Sequence, residues 1–298
     1  MNDDSREPQA GSPARVEVRK TYKLFVGGAF PRSESGRTYE VAAADGTFLA
    51  NAAKASRKDA RDAVLAARKG YGSWSAATAY NRGQVLYRIA EVMEGRREQF
   101  VADVRAAEGA DEASAARQVD AAVDRWVWYA GWADKLAQVL GSANPVAGPY
   151  FNFSLPEPTG VVAAVAPAES SLLGLVSVVA PIVVTGNAVV VVASTDRPVP
   201  AITLTEALAT SDVPAGVINV LTGDAAEIMP WLASHADVNG VDLTGIADAE
   251  LAASLERDAA GTVKRVLRPG RDDWSASPGL ARIRAFVETK TVWHPLGV

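Results

Sequence analysis

Between Val161 and Leu243 the chain alternates short aliphatic runs with longer apolar stretches. The runs fall at 161–166, 188–192, 217–221 and 238–243, and the stretches near 171–184, 199–210 and 225–234. Gly186-Asn187, Pro214-Ala215-Gly216 and Gly223-Asp224 punctuate them. Val- and Ala-rich runs without polar alternation suit strands buried on both faces, and strands joined by helix-length crossovers pair in parallel. The pattern therefore predicts an α/β fold: a parallel sheet covered by helices, with right-handed crossovers. Ser171–Ala193 is apolar enough to imitate a membrane span. Pro181 and the Thr185-Gly186-Asn187 turn break it, so it reads as a buried helix and a buried strand.

Elsewhere the spacing is mostly helical. Tyr22–Phe30 has the look of a short hairpin about Gly27-Gly28. Ser56 with Asp59 forms a near capping box opening a helix that Gly70 closes, with Ala60, Val64 and Ala67 inward. Val85, Leu86, Ile89, Ala90 and Met93 share one face of a second helix. A longer helical repeat runs from Val119 through Trp126 and Tyr129 to Leu140. Tyr150–Leu155 alternates like an exposed strand. Ala249–Leu267 reads as helical, Pro269–Gly279 as a loop, Arg282–Phe286 as one helical turn and Thr289–Trp293 as a strand. The polar residues 1–20 are expected to be a disordered tail.

Composition narrows the chemistry. The 298 residues are 48% apolar, enough for a sizeable core, and the net charge of −5 offers no basic surplus for nucleic acid. There is no cysteine, so disulfides, thiolate nucleophiles and thiolate metal ligands are excluded from this chain. That composition is compatible with a cytoplasmic protein. No phosphate-loop, G-x-G-x-x-G, G-x-S-x-G or H-E-x-x-H pattern occurs, and His235 and His294 read as surface or cap residues. The remaining candidate is the crevice at the carboxyl ends of the parallel strands, where open α/β sheets bind ligands. Three loops lead there: Pro167-Ala168-Glu169-Ser170, Ala193-Ser194-Thr195-Asp196 and Thr244-Gly245-Ile246.

These loops and their neighbours resemble the aldehyde dehydrogenase superfamily. The blocks that carry the likeness are LFVGGAF, NAAKASRKDARDAVLAARKGYGSWS, NRGQVLYRIAEVME, PTGVVAAVAPAESSLL, GNAVVVVAS, VPAGVINVLTGD and DVNGVDLTG, with FVETKTVWHPLG resembling the family's last strand. The resemblance implies a Rossmann-like nucleotide-binding domain over 21–268. It also implies a small β oligomerisation element (a hairpin at 148–160 and the terminal strand of 269–298), and oxidation of aldehydes with NAD or NADP. Pro167, Ser194, Gly216, Asn219, Thr222, Gly223, Thr244 and Gly245 are the positions where such a cofactor would touch the chain; the glycines serve equally well as plain turns.

The departures from the family are as specific as the matches. Only about forty residues separate the Leu-Thr-Gly block from the terminal block, where the family inserts a catalytic domain carrying its cysteine nucleophile and glutamate base. The family's oxyanion-hole asparagine falls on Glu169, and removing one such donor costs about 2.7–4 kcal/mol of transition-state stabilisation. Its ribose-holding lysine and glutamate fall on Val192 and Thr195, and its threonine-glycine-serine entry on Thr244, Gly245 and Ile246. Asp248 and Glu250 are expected to satisfy the amides and dipole of the helix that follows, and Glu169 to cap the helix beginning near Ser170.

The expected function is a non-catalytic relative with no catalytic residue, associating with itself or with a full-length aldehyde dehydrogenase. Neither nucleic acid nor a membrane is expected as a partner. The ending TKTVWHPLGV is read as the mark of an internal deletion. The alternatives are an active NAD(P)-dependent oxidoreductase using Ser170 or Ser194, and a crevice that holds a nucleotide without reacting it.

Overall fold

The computed structural model of the chain describes residues 20–297. The expectation of a disordered tail lies, Lys20 apart, outside those residues. In chain order the elements are β1 (Thr21–Tyr22), β2 (Thr38–Ala42), β3 (Phe48–Ala53), α1 (Arg57–Ala76), α2 (Ala79–Glu94), α3 (Arg97–Glu108), α4 (Glu112–Trp132), α5 (Leu136–Leu140), β4 (Ser142–Asn144) and β5 (Tyr150–Pro158). The second half comprises β6 (Val161–Val165), α6 (Leu173–Val184), β7 (Ala188–Val192), α7 (Val199–Leu208), β8 (Ile218–Leu221), α8 (Ala225–Ser234), β9 (Gly240–Asp242), α9 (Ala249–Ala260), β10 (Arg265–Leu267), α10 (Ala281–Ala285) and β11 (Val287–Pro295).

The central sheet is parallel, in the order β10-β9-β6-β7-β8. Strands β6–β9 are buried on both faces, the edge strand β10 only partly, and the period-two alternation sorts the side chains into two cores. Val162, Ala164, Val189 and Val191 join the core of α2, α4, α6 and α7. Val161, Ala163, Val165, Val190 and Val192 join that of α1, α8 and α9. Asn187 locks the amino edge: its Oδ1 accepts from Gly160 N at 2.7 Å and its Nδ2 donates to the Phe286 carbonyl at 2.7 Å. A Gly-Asn turn before an apolar strand is thereby explained.

α1 starts where the capping box places it. Ser56 accepts from the amides of Lys58 and Asp59, and Asp59 accepts from Ser56 N at 2.7 Å. The Asp59 carboxylate also takes Ser33 Oγ and Glu34 N, so one buried acid joins the helix start to the preceding loop. Replacing Ser56 by Ala is expected to cost about 1 kcal/mol in denaturant unfolding. Gly70 does not close α1, which continues to Ala76. It allows the helix to cross the backbone of Ala215–Val217, where a Cβ would lie 2.7 Å from the Gly216 carbonyl carbon. The helical repeat of 119–140 is divided: α4 ends at Trp132 and α5 begins at Leu136.

Gly27 and Gly28 take positive φ and Val26 pairs with Ala29, so the expected turn is present. Phe25, however, bridges to Val220 at the edge of the main sheet. β10 also differs from expectation. The helical reading of 249–267 ends at Ala260, and Arg265–Leu267 adds the edge strand beside β9. A third sheet has the order β11-β5-β4, with β11 antiparallel to β5 over nine pairs from Val287–Pro158 to Pro295–Tyr150. The terminal strand thus pairs within its own chain, and the hairpin that includes β5 begins at Ser142.

Candidate functional site

The three loops that leave β6, β7 and β9 converge as the topology requires, and their polar groups engage one another. Arg197 Nη1 donates to the Ala168 carbonyl at 3.1 Å, joining the first loop to the second. Thr195 Oγ1 donates to the Gly223 carbonyl at 2.9 Å, joining the second to the loop after β8. Gly245 lies so close to β6 that a Cβ would sit 2.3 Å from the Ala166 carbonyl oxygen. Any larger residue there would push the third loop away from the first.

The start of α6 is organised differently from expectation. The helix begins at Leu173, and Glu169 lies before it, exposed, with Oε1 accepting from Trp274 Nε1 at 2.9 Å. Glu169 therefore does not cap the helix. The acid at this end is Glu108 of α3, whose Oε1 accepts from both Ser171 N and Ser171 Oγ at 2.7 Å. Ser170 Oγ accepts from Gly174 N at 2.9 Å, and Pro167 packs against Gly174, where a Cβ would meet its ring at 2.4 Å. Asp248 does act as read from the sequence: its carboxylate accepts from the amides of Glu250 and Leu251 at the start of α9.

The other candidate residues divide by position. Ser194 is buried, and its Oγ accepts from Arg197 N at 3.3 Å. Thr222 donates to the Ala53 carbonyl at 2.6 Å, and Gly223, at φ +132, packs against Ala55 N. Gly216 and Asn219 belong to the opposite approach to β8. Asn219 Nδ2 donates to the carbonyls of Gly216 and Val189, and its Oδ1 accepts from Gly27 N at 2.9 Å. The structure places Pro167, Ser194, Thr244 and Gly245 just beyond the carboxyl ends of the adjacent parallel strands β6, β7 and β9, and holds Gly216 and Asn219 in the scaffold.

Thr244 leads to a group of residues that the sequence reading missed. Thr244 N and Oγ1 both donate to Asp242 Oδ1. Asp242 is 1% exposed, and its Oδ2 pairs with Arg282 Nη1 at 3.2 Å. Burial pushes the Asp242 carboxyl above the usual carboxylate range, and the neighbouring guanidinium pulls it back. Arg282 also donates to Thr244 Oγ1 at 3.2 Å and to Asp272 at 2.9 Å, and its guanidinium lies 5.1 Å from the Trp274 ring centroid. From the far side, Arg125 of α4 donates to the carbonyls of Trp274 and Ala276 at 2.8 and 3.0 Å. Burial pulls the Arg125 guanidinium below its usual range and pushes the Tyr129 hydroxyl beside it up to about 12. The one available signal in the sequence was charge out of place: an Asp ending an aliphatic strand and an Arg inside an apolar helical stripe.

A dinucleotide held as the resemblance implies does not fit these residues. Val192 is fully buried and Thr195 is spent on Gly223, so neither replaces a ribose-binding side chain. The first amides of α9 already bond Asp248, leaving less for a pyrophosphate. Among the described residues no group of three or more His, Asp or Glu is placed to hold a metal ion, and no helix is long and apolar enough to cross a membrane.

The family model described as the aldehyde dehydrogenase family matches residues 30–268. The chain belongs to the aldehyde dehydrogenase family. The putative aldehyde dehydrogenase DhaS of Bacillus subtilis is 30% identical over 254 residues, covering 84% of this chain and 50% of that protein. The cytosolic 10-formyltetrahydrofolate dehydrogenase of Pongo abelii is 31% identical over 236 residues, covering 76% of this chain and 26% of that protein. Among solved structures, the NAD+ complex of a Bacillus cereus aldehyde dehydrogenase matches with a TM-score of 0.78 at 25% identity, over 83% of this chain and 50% of that one. A putative aldehyde dehydrogenase from Burkholderia cenocepacia matches at 0.78 with 28% identity, over 82% and 50%. This family member therefore spans about half the length of DhaS and of these solved relatives, and its sheet and flanking helices are theirs.

Proposed function

We propose that this aldehyde dehydrogenase-family chain is non-catalytic and works as a partner subunit, associating with itself or with a full-length aldehyde dehydrogenase. One observation carries the first part. The position that the family resemblance assigns to the oxyanion-hole asparagine holds a carboxylate, Glu169, bonded to Trp274. A negative group there repels the charge that develops on a carbonyl oxygen during attack. The 298 residues also contain no thiol to make that attack.

The partner role rests on the third sheet. β11 is an edge strand, and Tyr150, Phe151, Leu155, Trp293 and Leu296 on or beside this sheet are all more than a third exposed. A nine-residue edge beside exposed aromatic side chains is a surface that proteins normally cover. Within this reading the compartment is the cytoplasm and the partner is a protein, not a nucleic acid or a membrane.

Two measurements test it. Purified chain incubated with NAD or NADP and a panel of aldehydes is expected to form reduced cofactor no faster than a protein-free blank. Stoichiometric turnover above the blank would overturn the non-catalytic assignment. Light scattering, alone and after co-expression with a full-length relative, is expected to give a mass above that of the 31.2 kDa monomer. Monomeric elution in every mixture would remove the partner role.

A further inference from the structure

The segment between β10 and β11 lies against the carboxyl ends of β6 and β9 and is fastened to three separate elements there. Trp274 Nε1 reaches Glu169 on the loop after β6 at 2.9 Å. Arg282 reaches Asp242 and Thr244 at the carboxyl end of β9, each at 3.2 Å. Arg125 of α4 holds the backbone from the third side through the carbonyls of Trp274 and Ala276. Beyond these fastenings the segment is welded to the core: Ile283 and Phe286 are buried, and the Phe286 ring lies where a Cβ on Gly240 would meet it at 2.8 Å.

The outer side of the same segment contrasts with this. Gly270, Arg271, Asp272 and Asp273 are exposed, and no helix or strand spans 268–280. The loop is thus anchored at both ends, and between its exposed residues it is held by side-chain ties and by the packing of Trp274 and Leu280 against the core. Such a segment opens at lower free energy than the sheet beneath it.

We propose that residues 268–285 are a built-in cover of the crevice, an internal occupant held by Arg282, Trp274 and Arg125, so that a nucleotide and the closed segment exclude one another. Three of the crevice groups, Thr244 Oγ1, the Asp242 carboxylate and the Glu169 carboxylate, are consumed by the segment itself. When the segment leaves it takes Arg282 and the Trp274 N–H with it, so a ligand of the phosphate-bearing class would meet two carboxylates stripped of their partners. The chain's own guanidinium thus occupies the carboxyl end of β9. This inference rests on the crevice geometry and stands whether or not the chain has a partner subunit.

Amide hydrogen exchange on the full chain tests it, with peptides from β6 and β7 as controls for global unfolding. In the unaltered protein, amides of 272–278 are expected to exchange on the order of ten-fold or more slowly than in the free peptide. Trp274→Phe keeps an aromatic face, smaller than the indole, and removes the N–H, and is expected to speed exchange there several-fold with β6 and β7 unchanged. Arg282→Met is expected to speed exchange in 272–278 more strongly still, and, because it also lowers global stability, to speed it in β6 and β7 as well; should it unfold the chain, Trp274→Phe still decides. Calorimetry of the unaltered protein with NAD is expected to give no saturable binding tighter than about 1 mM. Saturable binding that accelerates exchange in 272–278 would equally support mutual exclusion. Free-peptide exchange of this segment in the unaltered protein, no effect of Trp274→Phe, or NAD binding that leaves the segment protected would each overturn the proposal. None of these readouts involves aldehyde turnover, so their failure is separate from failure of the non-catalytic assignment.

Discussion

Arg282→Met is expected to destabilise the chain by about 3–5 kcal/mol at pH 7–8, because it leaves a buried carboxylate without its cation. Asp242 is 1% exposed and the Arg282 side chain 16%, so neither charge is well screened by water. The groups facing Asp242 are Arg282, the N–H and hydroxyl of Thr244, and, at longer range, the carboxylate of Asp272. Once Arg282 is gone, only the Thr244 bonds favour the charged form, while burial and Asp272 oppose it. The folded-state pKa of Asp242 then rises further above its unfolded value of about 3.9. A carboxyl raised on folding contributes stability that is fully present below the unfolded pKa and is lost as pH rises through the folded pKa. The penalty of Arg282→Met is therefore expected to shrink as pH falls from 8 towards 5, where the lone acid takes up a proton. Urea unfolding of both proteins at several pH values checks the size and the slope. A penalty under about 1 kcal/mol that does not vary with pH would show that the pair contributes little.

The second large effect is expected at Gly216. Its φ is +87, and a Cβ would stand 2.2 Å from the carbonyl oxygen of Ala66 in α1. Gly216→Ala thus combines a left-handed backbone, costing roughly 1 kcal/mol for a residue with a Cβ, with an overpacking cost of about 1–3 kcal/mol. A loss of about 2–4 kcal/mol follows, read as a fall in the denaturation midpoint with little change in slope. Gly70→Ala strikes the same contact from the helix side, since its Cβ would lie 2.7 Å from the Gly216 carbonyl carbon. The double substitution is expected to cost less than the sum of the singles, because either one already forces α1 off the strand. Strict additivity would mean that the two glycines are tolerated for unrelated reasons.

The aliphatic runs, the turns that separate them and the capping box at Ser56 are local physics. Their residues bury, bend or cap by virtue of their own shapes and near neighbours. That is why the parallel sheet and the helices α1, α2 and α6–α8 stand within a few residues of where periodicity places them, Gly70's run-on apart. The β2–β3 hairpin and β10 were not legible. Their segments, TYEVA, FLANAA and RVL, are short, and β10 takes its place from the open edge of β9. A strand of three residues is selected by its partner, not by its own propensity.

The chemistry divides along the same line. From the amino acids alone, the chain lacks a thiol, and the resemblance implies that Glu169 stands at the family's oxyanion-hole asparagine and Val192 and Thr195 at its ribose-binding pair. What occupies the crevice was decided only by the tertiary structure. Glu169 and Trp274 are separated by 105 residues, Asp242 and Arg282 by 40, and Arg125 and Trp274 by 149. Charges that far apart have no sequence period to betray them. They meet because β6 and β9 are adjacent in the sheet and α4 packs against α6 beside them. The assignment of Glu169 as a helix cap failed for this reason. A carboxylate before a helix satisfies local rules, but a long-range partner, Trp274, held it outside while Glu108 from α3 took the amide.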